Sequence, residues 1–189
     1  MTELEILDRA GAGFYATLVQ VQDDQWDEPT GNEGQTVRQL VNHVVGGNRM
    51  AVAILQGGSK ADGLAQFARS AGDVDLVGAF EVSRIELAEA FAAPGALDQT
   101  VAHPAMDMPS RQLLGFRITE YGLHGWDLAR AIGADDQIDH DVLTGLLAVL
   151  EPMAEVLPST GMFGEGRSGE LGDDASLQHR VLDLSGRRP

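Results

Sequence analysis

Hydrophobic residues recur every three or four positions along most of this chain, which is the spacing of an amphipathic helix. The first such run predicts a helix over residues 3–22, followed by a loop over residues 23–35 that contains proline and glycine. A second helix should begin after Thr36, because Thr36 and Gln39 fit the capping-box pattern, and it should end at the two glycines 57–58.

Three further helices follow from the same spacing. Asp73 is a suitable N-cap for the first of them, and Gly133 is a suitable C-cap for the second. Residues 59–72 are ambiguous and could hold a helical turn at 63–70. The three helices are expected over residues 73–92, 110–132 and 139–157.

Little of the remaining chain is typical of β-strands. Residues 96–109 should form an irregular connection with one short extended segment at 99–102. Beyond residue 157 the chain is rich in glycine and ends with a short helix near residues 175–184. The pattern predicts one all-α domain over residues 1–189, with a four-helix bundle in residues 1–157 and an additional C-terminal helix and irregular tail in residues 158–189.

Composition narrows the possible classes of function. The 29 acidic and 13 basic residues leave a net charge of −16, which argues against binding to nucleic acids and anionic membranes. No apolar run approaches the roughly 20 residues that span a bilayer, and the acidic N-terminus does not resemble a secretion signal, so a cytoplasmic location is expected. Because the chain has no cysteine, any thiol chemistry would use a thiol from outside.

The fourth predicted helix carries the residues most informative about chemistry. Glu120 and His124 are one helical turn apart on the same face, and Asp127 extends that stripe. An unpaired charge on a buried face is unfavourable, and a bound metal ion would remove that penalty. His43, on the buried stripe of the second helix, is the candidate for a third ligand.

Each of these residues also has an ordinary structural interpretation. A single histidine in a core is most often a hydrogen-bonded core residue, as His43 could be. A Glu–His pair at this spacing, such as Glu120 and His124, is most often a solvated surface pair. The residue pattern therefore leaves both the metal site and the structural interpretation open.

Two neighbouring residues have alternative interpretations. Asp127 either accepts a hydrogen bond that orients His124 or forms an intrahelical salt bridge with Arg130. Arg117 either pairs with Glu120 or binds an anionic substrate.

Several other residues are assigned roles from their position alone. Asn48 and Arg49 follow His43 by more than a turn and could reach the mouth of the site, although Arg49 is expected to be exposed to solvent. Trp126 should pack in the core or an interface, and Trp26 should pack the first loop onto the bundle. The histidines outside the helical stripes are expected on the surface: His103, His140 and His179.

The chain resembles the actinobacterial DinB-like metal-binding proteins related to the mycothiol-dependent maleylpyruvate isomerase. The resemblance covers nearly the whole chain, including the Thr-Val-Arg segment of the second helix and the His-Gly-Trp-Asp segment of the fourth. The segments that carry it are residues 25–30, 36–49, 119–131, 173–182 and 186–189.

This resemblance implies a four-helix bundle that holds a divalent metal ion. The family's ion is usually taken as zinc, with two histidines and one acidic or histidine ligand, and the matching positions are His43, Glu120 and His124. The resemblance does not distinguish zinc from nickel or other divalent ions. It also implies that the metal binds the small thiol mycothiol as a thiolate, which attacks an electrophile.

The chain departs from the family pattern just before the second helix. Such proteins usually carry Gly-Trp at this point and often a nearby cysteine, whereas this chain has Gly34-Gln35 and no cysteine. The missing indole side chain could reshape one wall of the site. This departure leaves the identity of the substrate open, but it does not affect the assignment of the metal ligands.

The expected function is a divalent-metal-dependent enzyme, a mycothiol-dependent S-transferase or isomerase acting on a small electrophile. A non-catalytic metal- or ligand-binding bundle and a metal-dependent hydrolase remain alternatives, because they would use the same ligands. Apolar residues on the first and fourth helices could also support a homodimer.

Overall fold

Helices make up most of the described part of the chain, as the hydrophobic spacing predicts, so the all-α fold class is confirmed. The computed structural model describes residues 1–31, 34–72, 74–157, 166–172 and 174–188. The elements are α1 (Glu3–Leu18), α2 (Val37–Leu55), α3 (Lys60–Arg69), α4 (Leu76–Ala92), β1 (Thr100–Ala102), β2 (Asp107–Pro109), α5 (Ser110–Ile132), α6 (His140–Leu150) and α7 (Leu177–Leu184).

Four long helices form the bundle, and their order around it is α1, α4, α2 and α5. Phe14 of α1, Phe80 of α4 and Tyr121 of α5 meet in its core. The ring centroids of Phe14 and Phe80 are 4.6 Å apart, and those of Phe80 and Tyr121 are 5.5 Å apart. The shorter helices lie outside this core, with α3 against α2, α6 against α5 and α1, and α7 against α6.

Local capping signals set the ends of the helices that carry the candidate site. The Thr36 side chain accepts a hydrogen bond from the backbone N–H of Gln39, and Gln39 reciprocates, so the predicted capping box of α2 is confirmed. Gly133 ends α5 in the left-handed conformation, with a φ of 72°, as predicted.

Three predicted helix boundaries differ from the structure. The first helix ends at Leu18 rather than near residue 22. The helix expected to start at Asp73 starts at Leu76, where Asp75 caps it by accepting a hydrogen bond from Gly78 N at 2.9 Å, and Asp73 itself lies outside the described residues. The fifth predicted helix ends at Leu150 and continues as a 3-10 turn, because Pro152 has no N–H to donate.

Two segments are more regular than the sequence indicates. Residues 59–72, which were ambiguous, contain the ten-residue helix α3, whose Ser59 N-cap accepts a hydrogen bond from Asp62 N. The extended segment near residues 99–102 pairs with β2 as a small antiparallel ribbon, with Val101 opposite Met108. Strands of three residues carry too little alternation to be recognised from sequence.

The C-terminal helix α7 ties the tail to the bundle. Val181, Leu182 and Leu184 are buried against the rest of the molecule, and the helix packs on α6. Among the described residues, no helix combines the length and apolar character needed to cross a membrane.

Two adjacent glycines in the middle of α2 allow two parts of the molecule to pack closely against this helix. A Cβ atom on Gly46 would lie 2.9 Å from the carbonyl oxygen of Phe67 and 2.8 Å from Ser70 Oγ, so α3 can pack this closely only against glycine. A Cβ atom on Gly47 would overlap the guanidinium group of Arg117. The weak helix propensity of the pair is therefore offset by packing against α3 and α5.

Replacing Gly46 by alanine should destabilise the fold. Alanine favours the helix by up to about 1 kcal/mol over glycine, but overpacking against the α3 backbone should cost about 1–3 kcal/mol. Gly13→Ala is the matched control, because Gly13 lies inside α1 and its Cβ atom would meet nothing within 4 Å. The free energy of unfolding, measured in urea, should decrease for Gly46→Ala and increase for Gly13→Ala. An increase in both variants would contradict this account of the α2–α3 contact.

Candidate metal centre

The structure brings together the three side chains that the sequence singles out as metal ligands. His43 comes from α2, and Glu120 and His124 come from α5. Glu120 Oε2 lies 2.9 Å from His43 Nε2 and 3.3 Å from His124 Nε2. One potential ligand atom from each residue lies within 4.8 Å of the other two.

The geometry of α5 and the crossing of α2 produce this arrangement. Glu120 and His124 are stacked one turn apart on α5, as their spacing requires. The ring centroids of His43 and His124 are 5.3 Å apart, with an angle of 81° between the ring planes. The edge of the cluster formed by His43 faces solvent, because its side chain is 40% exposed, compared with 14% for His124.

The carboxylate and imidazole groups strongly perturb each other. Burial opposes ionisation of Glu120, but His124, a hydrogen bond with His43 and the charge of Arg117 hold the pKa of Glu120 well below its ordinary value. Burial also opposes protonation of His124, but the Glu120 and Asp127 carboxylates outweigh it and raise the pKa of His124 to about 9. Without an ion, the cluster is therefore a carboxylate paired with an imidazolium at neutral pH.

Asp127 lies directly behind His124, with its side chain only 1% exposed. Because an ionised carboxylate can only accept, His124 Nδ1 donates to Asp127 Oδ2, at 3.0 Å. This contact leaves His124 Nε2 directed toward Glu120. Arg130, the alternative partner predicted for Asp127, lies 3.3 Å from Asp136.

Arg117 is almost completely buried beside the cluster. Its Nη2 donates to Val44 O at 3.1 Å and to Asn48 Oδ1 at 2.9 Å, while Nη1 lies 4.0 Å from Glu120 Oε2. The buried guanidinium adds a positive charge next to Glu120, in the pairing that the sequence suggests as one of two alternatives.

The expectation that Asn48 reaches the mouth of the site is wrong. Asn48 is completely buried, and its Oδ1 accepts hydrogen bonds from Arg117 and from Tyr121 Oη, each at 2.9 Å. Its Nδ2 donates to Ser83 Oγ at 3.0 Å. Asn48 therefore links α2, α4 and α5 through hydrogen bonds and holds Arg117 in place.

The remaining single-residue predictions have mixed outcomes. His140 and His179 are exposed, whereas His103 and Arg49 are half-buried, which corrects the expectation that both are solvent-exposed. Burial, together with the positive charges of Arg117 and Lys60, lowers the pKa of His103. Trp126 is buried in the core, and Trp26 is half-buried beneath Arg38.

Two residues at the centre were not identified from the sequence. Phe67 of α3 stands edge-on to His43, with ring centroids 5.6 Å apart, and so packs against one side of the cluster. Arg187 donates to both oxygens of Asp127, from Nε at 2.8 Å and from Nη2 at 2.6 Å. The periodicity of the helices contains no signal for either residue, because both lie on elements outside the bundle.

The donor set is chemically suited to a divalent transition metal. Two imidazole nitrogens and one carboxylate oxygen match the protein ligands of many zinc sites that keep an open coordination position. The same donors also accept nickel and other divalent ions. Within the described part of the chain, His43, Glu120 and His124 form the cluster with this geometry.

Comparison with known sequences places the chain in a family. The sequence model for the mycothiol maleylpyruvate isomerase N-terminal domain matches residues 7–129, which include all three cluster residues. The chain belongs to this family. The resemblance drawn from the sequence segments is thereby confirmed.

Two relatives and two solved structures are similar to this chain. Two uncharacterised proteins from different strains of Mycobacterium tuberculosis are each 32% identical over 152 residues, covering 78% of this chain and 77% of the relative. The crystal structure of the mycothiol-dependent maleylpyruvate isomerase covers 90% of this chain and 72% of its own, with a TM-score of 0.63 and 18% identity. A histidine-to-alanine mutant of that enzyme superposes with a TM-score of 0.60. The similarity to the two solved structures shows a common fold.

The departure from the family pattern at Gln35 lies in the loop that leads into α2. The backbone carbonyl of Gln35 accepts hydrogen bonds from the N–H and the hydroxyl of Thr30, at 2.8 and 2.9 Å. The side chain of Gln35 is half-buried. Its backbone therefore shapes the loop, and a tryptophan is not required for that turn.

Replacing Asn48 by alanine should destabilise the protein strongly. The change removes the acceptor of Tyr121 Oη and of one N–H of Arg117 Nη2, which keeps its other hydrogen bond to Val44 O, and each orphaned donor should cost about 1–3 kcal/mol. Ser83→Ala is the control, because it removes the hydroxyl partner of Asn48 and leaves the Arg117 and Tyr121 contacts in place. The free energy of unfolding, measured with denaturant, should fall distinctly more for Asn48→Ala than for Ser83→Ala. Equal decreases would mean that the network does not hold Arg117.

Proposed function

We propose that the protein is a divalent-metal-dependent enzyme that uses mycothiol, as an S-transferase or isomerase acting on a small electrophile. The observation that carries this proposal is the convergence of His43, Glu120 and His124 from two helices of the bundle. Membership in the mycothiol maleylpyruvate isomerase N-terminal domain family supports the choice of thiol.

The donor set fits a catalytic ion better than a structural one. Three protein ligands are typical of zinc sites that leave a coordination position for a substrate, whereas structural zinc sites are usually closed by four. His43, Glu120 and His124 would hold the ion, and the half-exposed side of His43 leaves the cluster accessible. When bound, a divalent ion lowers the pKa of a neighbouring thiol and so provides a thiolate at neutral pH.

The surrounding residues would prepare the ligands for this task. Asp127 accepts a hydrogen bond from the Nδ1–H of His124, so in the neutral ring the proton stays on Nδ1 and the Nε2 lone pair is available. Arg117, held by Asn48 and Val44, keeps a positive charge near Glu120 and favours its ionised form. The chain has no cysteine, so the nucleophilic sulfur would come from the small thiol.

Substitution of the ligands tests the metal site directly. His43→Ala, Glu120→Gln and His124→Ala should each strongly reduce zinc content after purification and dialysis, measured by elemental analysis. His140→Ala and His179→Ala remove exposed histidines away from the cluster and should retain the metal. Because the hydrophobic core is extensive, helical circular dichroism should persist in all five variants and after chelation. Full zinc content in His124→Ala would show that the ion binds elsewhere.

Activity measurements distinguish the three classes of function. The zinc-loaded protein is tested with a panel of electrophiles, with and without mycothiol. Turnover that requires both zinc and mycothiol supports the proposal. Zinc binding without turnover across the panel favours a non-catalytic binding bundle, and turnover without any thiol favours a hydrolase.

Metal binding should depend on pH through His124. The raised pKa, about 9, means that this ring is protonated at neutral pH in the ion-free protein and must release a proton when it becomes a ligand. Zinc affinity should therefore increase about tenfold per pH unit between roughly pH 7 and pH 9 on account of this proton. Calorimetry in buffers of different ionisation enthalpy should detect about one proton released from this ring near pH 7. Binding with no proton release at this pH would contradict an imidazolium at His124.

A further inference from the structure

The C-terminal tail reaches the candidate metal centre through one side chain. Arg187 lies 60 residues beyond Asp127, and its Nε and Nη2 donate to the two different oxygens of that carboxylate, at 2.8 and 2.6 Å. The Arg187 side chain is 13% exposed, and that of Asp127 is 1% exposed. Two parallel, charge-assisted hydrogen bonds of this kind define the orientation of the carboxylate as well as its charge.

A turn after α7 directs the Arg187 side chain toward Asp127. Gly186 adopts a left-handed conformation, with a φ of 77°, and donates its N–H to Asp183 O. The backbone N–H of Arg187 then donates to Leu182 O at 2.9 Å, and its Nη1 donates to Ser185 Oγ at 3.3 Å. Because Leu182 is fully buried, the turn and the guanidinium group are anchored to the bundle.

The hydrogen bonds continue from the tail to the candidate ligand. Asp127 Oδ2 accepts from both Arg187 Nη2 and His124 Nδ1. The terminal torsion of an aspartate side chain is broad, and the two hydrogen bonds from Arg187 restrict rotation of this carboxylate away from the imidazole. Arg187 also places a positive charge against the Asp127 carboxylate, whose side chain is only 1% exposed.

We propose that Arg187 is a positioning residue of the metal centre, which holds Asp127 so that His124 keeps Nδ1 as the donor and presents Nε2 to the ion. This inference rests on the proposed function, because it assigns the tail a role at the same metal site. Groups that orient metal-bound histidines typically change metal affinity by about 10–100-fold when they are removed.

The neighbouring arginine provides a matched control. Arg188 anchors the same tail through Asp183 Oδ1, at 3.1 Å, and Gly166 O, at 3.0 Å. Arg187→Ala and Arg188→Ala therefore both remove a tail contact, and both should lower the melting temperature. Of the two, only Arg187→Ala also removes the two hydrogen bonds from Arg187 to Asp127.

The first experiment measures metal affinity and metal geometry. Zinc affinity is measured by competition with a chromophoric chelator, and cobalt-loaded protein is examined by absorption spectroscopy. Arg187→Ala should weaken zinc binding about 10–100-fold and shift the cobalt ligand-field bands, whereas Arg188→Ala should leave both close to wild type. Arg187→Lys should recover only part of the affinity, because a lysine cannot make two parallel hydrogen bonds.

Combined substitution tests whether Arg187 acts through Asp127. If it does, the zinc affinity of the Asp127→Asn protein should fall little further when Arg187→Ala is added. Additive losses would mean that Arg187 acts on the centre by another route. Unchanged zinc affinity and an unchanged cobalt spectrum in Arg187→Ala, with only a lower melting temperature, would overturn the inference. Arg187 would then only stabilise the packing of the C-terminal tail.

A measurement on the metal-free protein separates this inference from the proposed function. The hydrogen-bonded Nδ1 proton of His124 should give a slowly exchanging NMR signal in the wild type and in Arg188→Ala, and it should exchange rapidly or disappear in Arg187→Ala. An unchanged signal in Arg187→Ala would overturn the positioning role even if zinc binds. Failure of the wild type to bind zinc would refute the proposed function, while the NMR result would still decide the role of Arg187.

Discussion

Ionised groups inside the bundle must be paired, and this constraint organises the centre of the molecule. Five side chains alternate in charge from the tail to the middle of α5, in the order Arg187, Asp127, His124, Glu120 and Arg117. A single buried charge would be unfavourable by several kcal/mol, and here each charged group has an oppositely charged neighbour on at least one side. The same series of contacts places the imidazole edge of His124 and a carboxylate oxygen of Glu120 beside His43.

The position of Arg117, the innermost of these charged groups, depends on core residues that are not candidate metal ligands. Arg117 can lie along α2 because residue 47 has no side chain, and it remains there because Asn48 and a backbone carbonyl accept its hydrogen bonds. Tyr121 shares the same Asn48 oxygen. The glycine and the asparagine therefore support the electrostatics of Glu120 from within the packing of the bundle, and the stability of the core and the chemistry of the centre are linked.

Helix boundaries were predictable where residues adjacent in sequence determine them. The start of α2 depends on Thr36 and Gln39, which contact each other across one turn, and the end of α5 depends on the conformational freedom of Gly133. The predicted end of α1 was wrong because the apolar spacing continues to Val21, which packs against the core from the loop without being helical. The ribbon of β1 and β2 and the docking of α7 depend on contacts with other elements, so periodicity did not reveal them.

The sequence by itself determined the pair at the centre of the site, because residues four apart on a helix, such as Glu120 and His124, must share a face. It also indicated His43, through its position on the apolar stripe of α2. Only the tertiary structure decided that His43 meets Glu120 across 77 residues, that Asn48 binds Arg117 in the core, and that Arg187 reaches Asp127 from the tail. The spacing of residues along one helix follows from its backbone geometry, whereas contacts between distant segments depend on how whole helices cross and on which buried charges find partners.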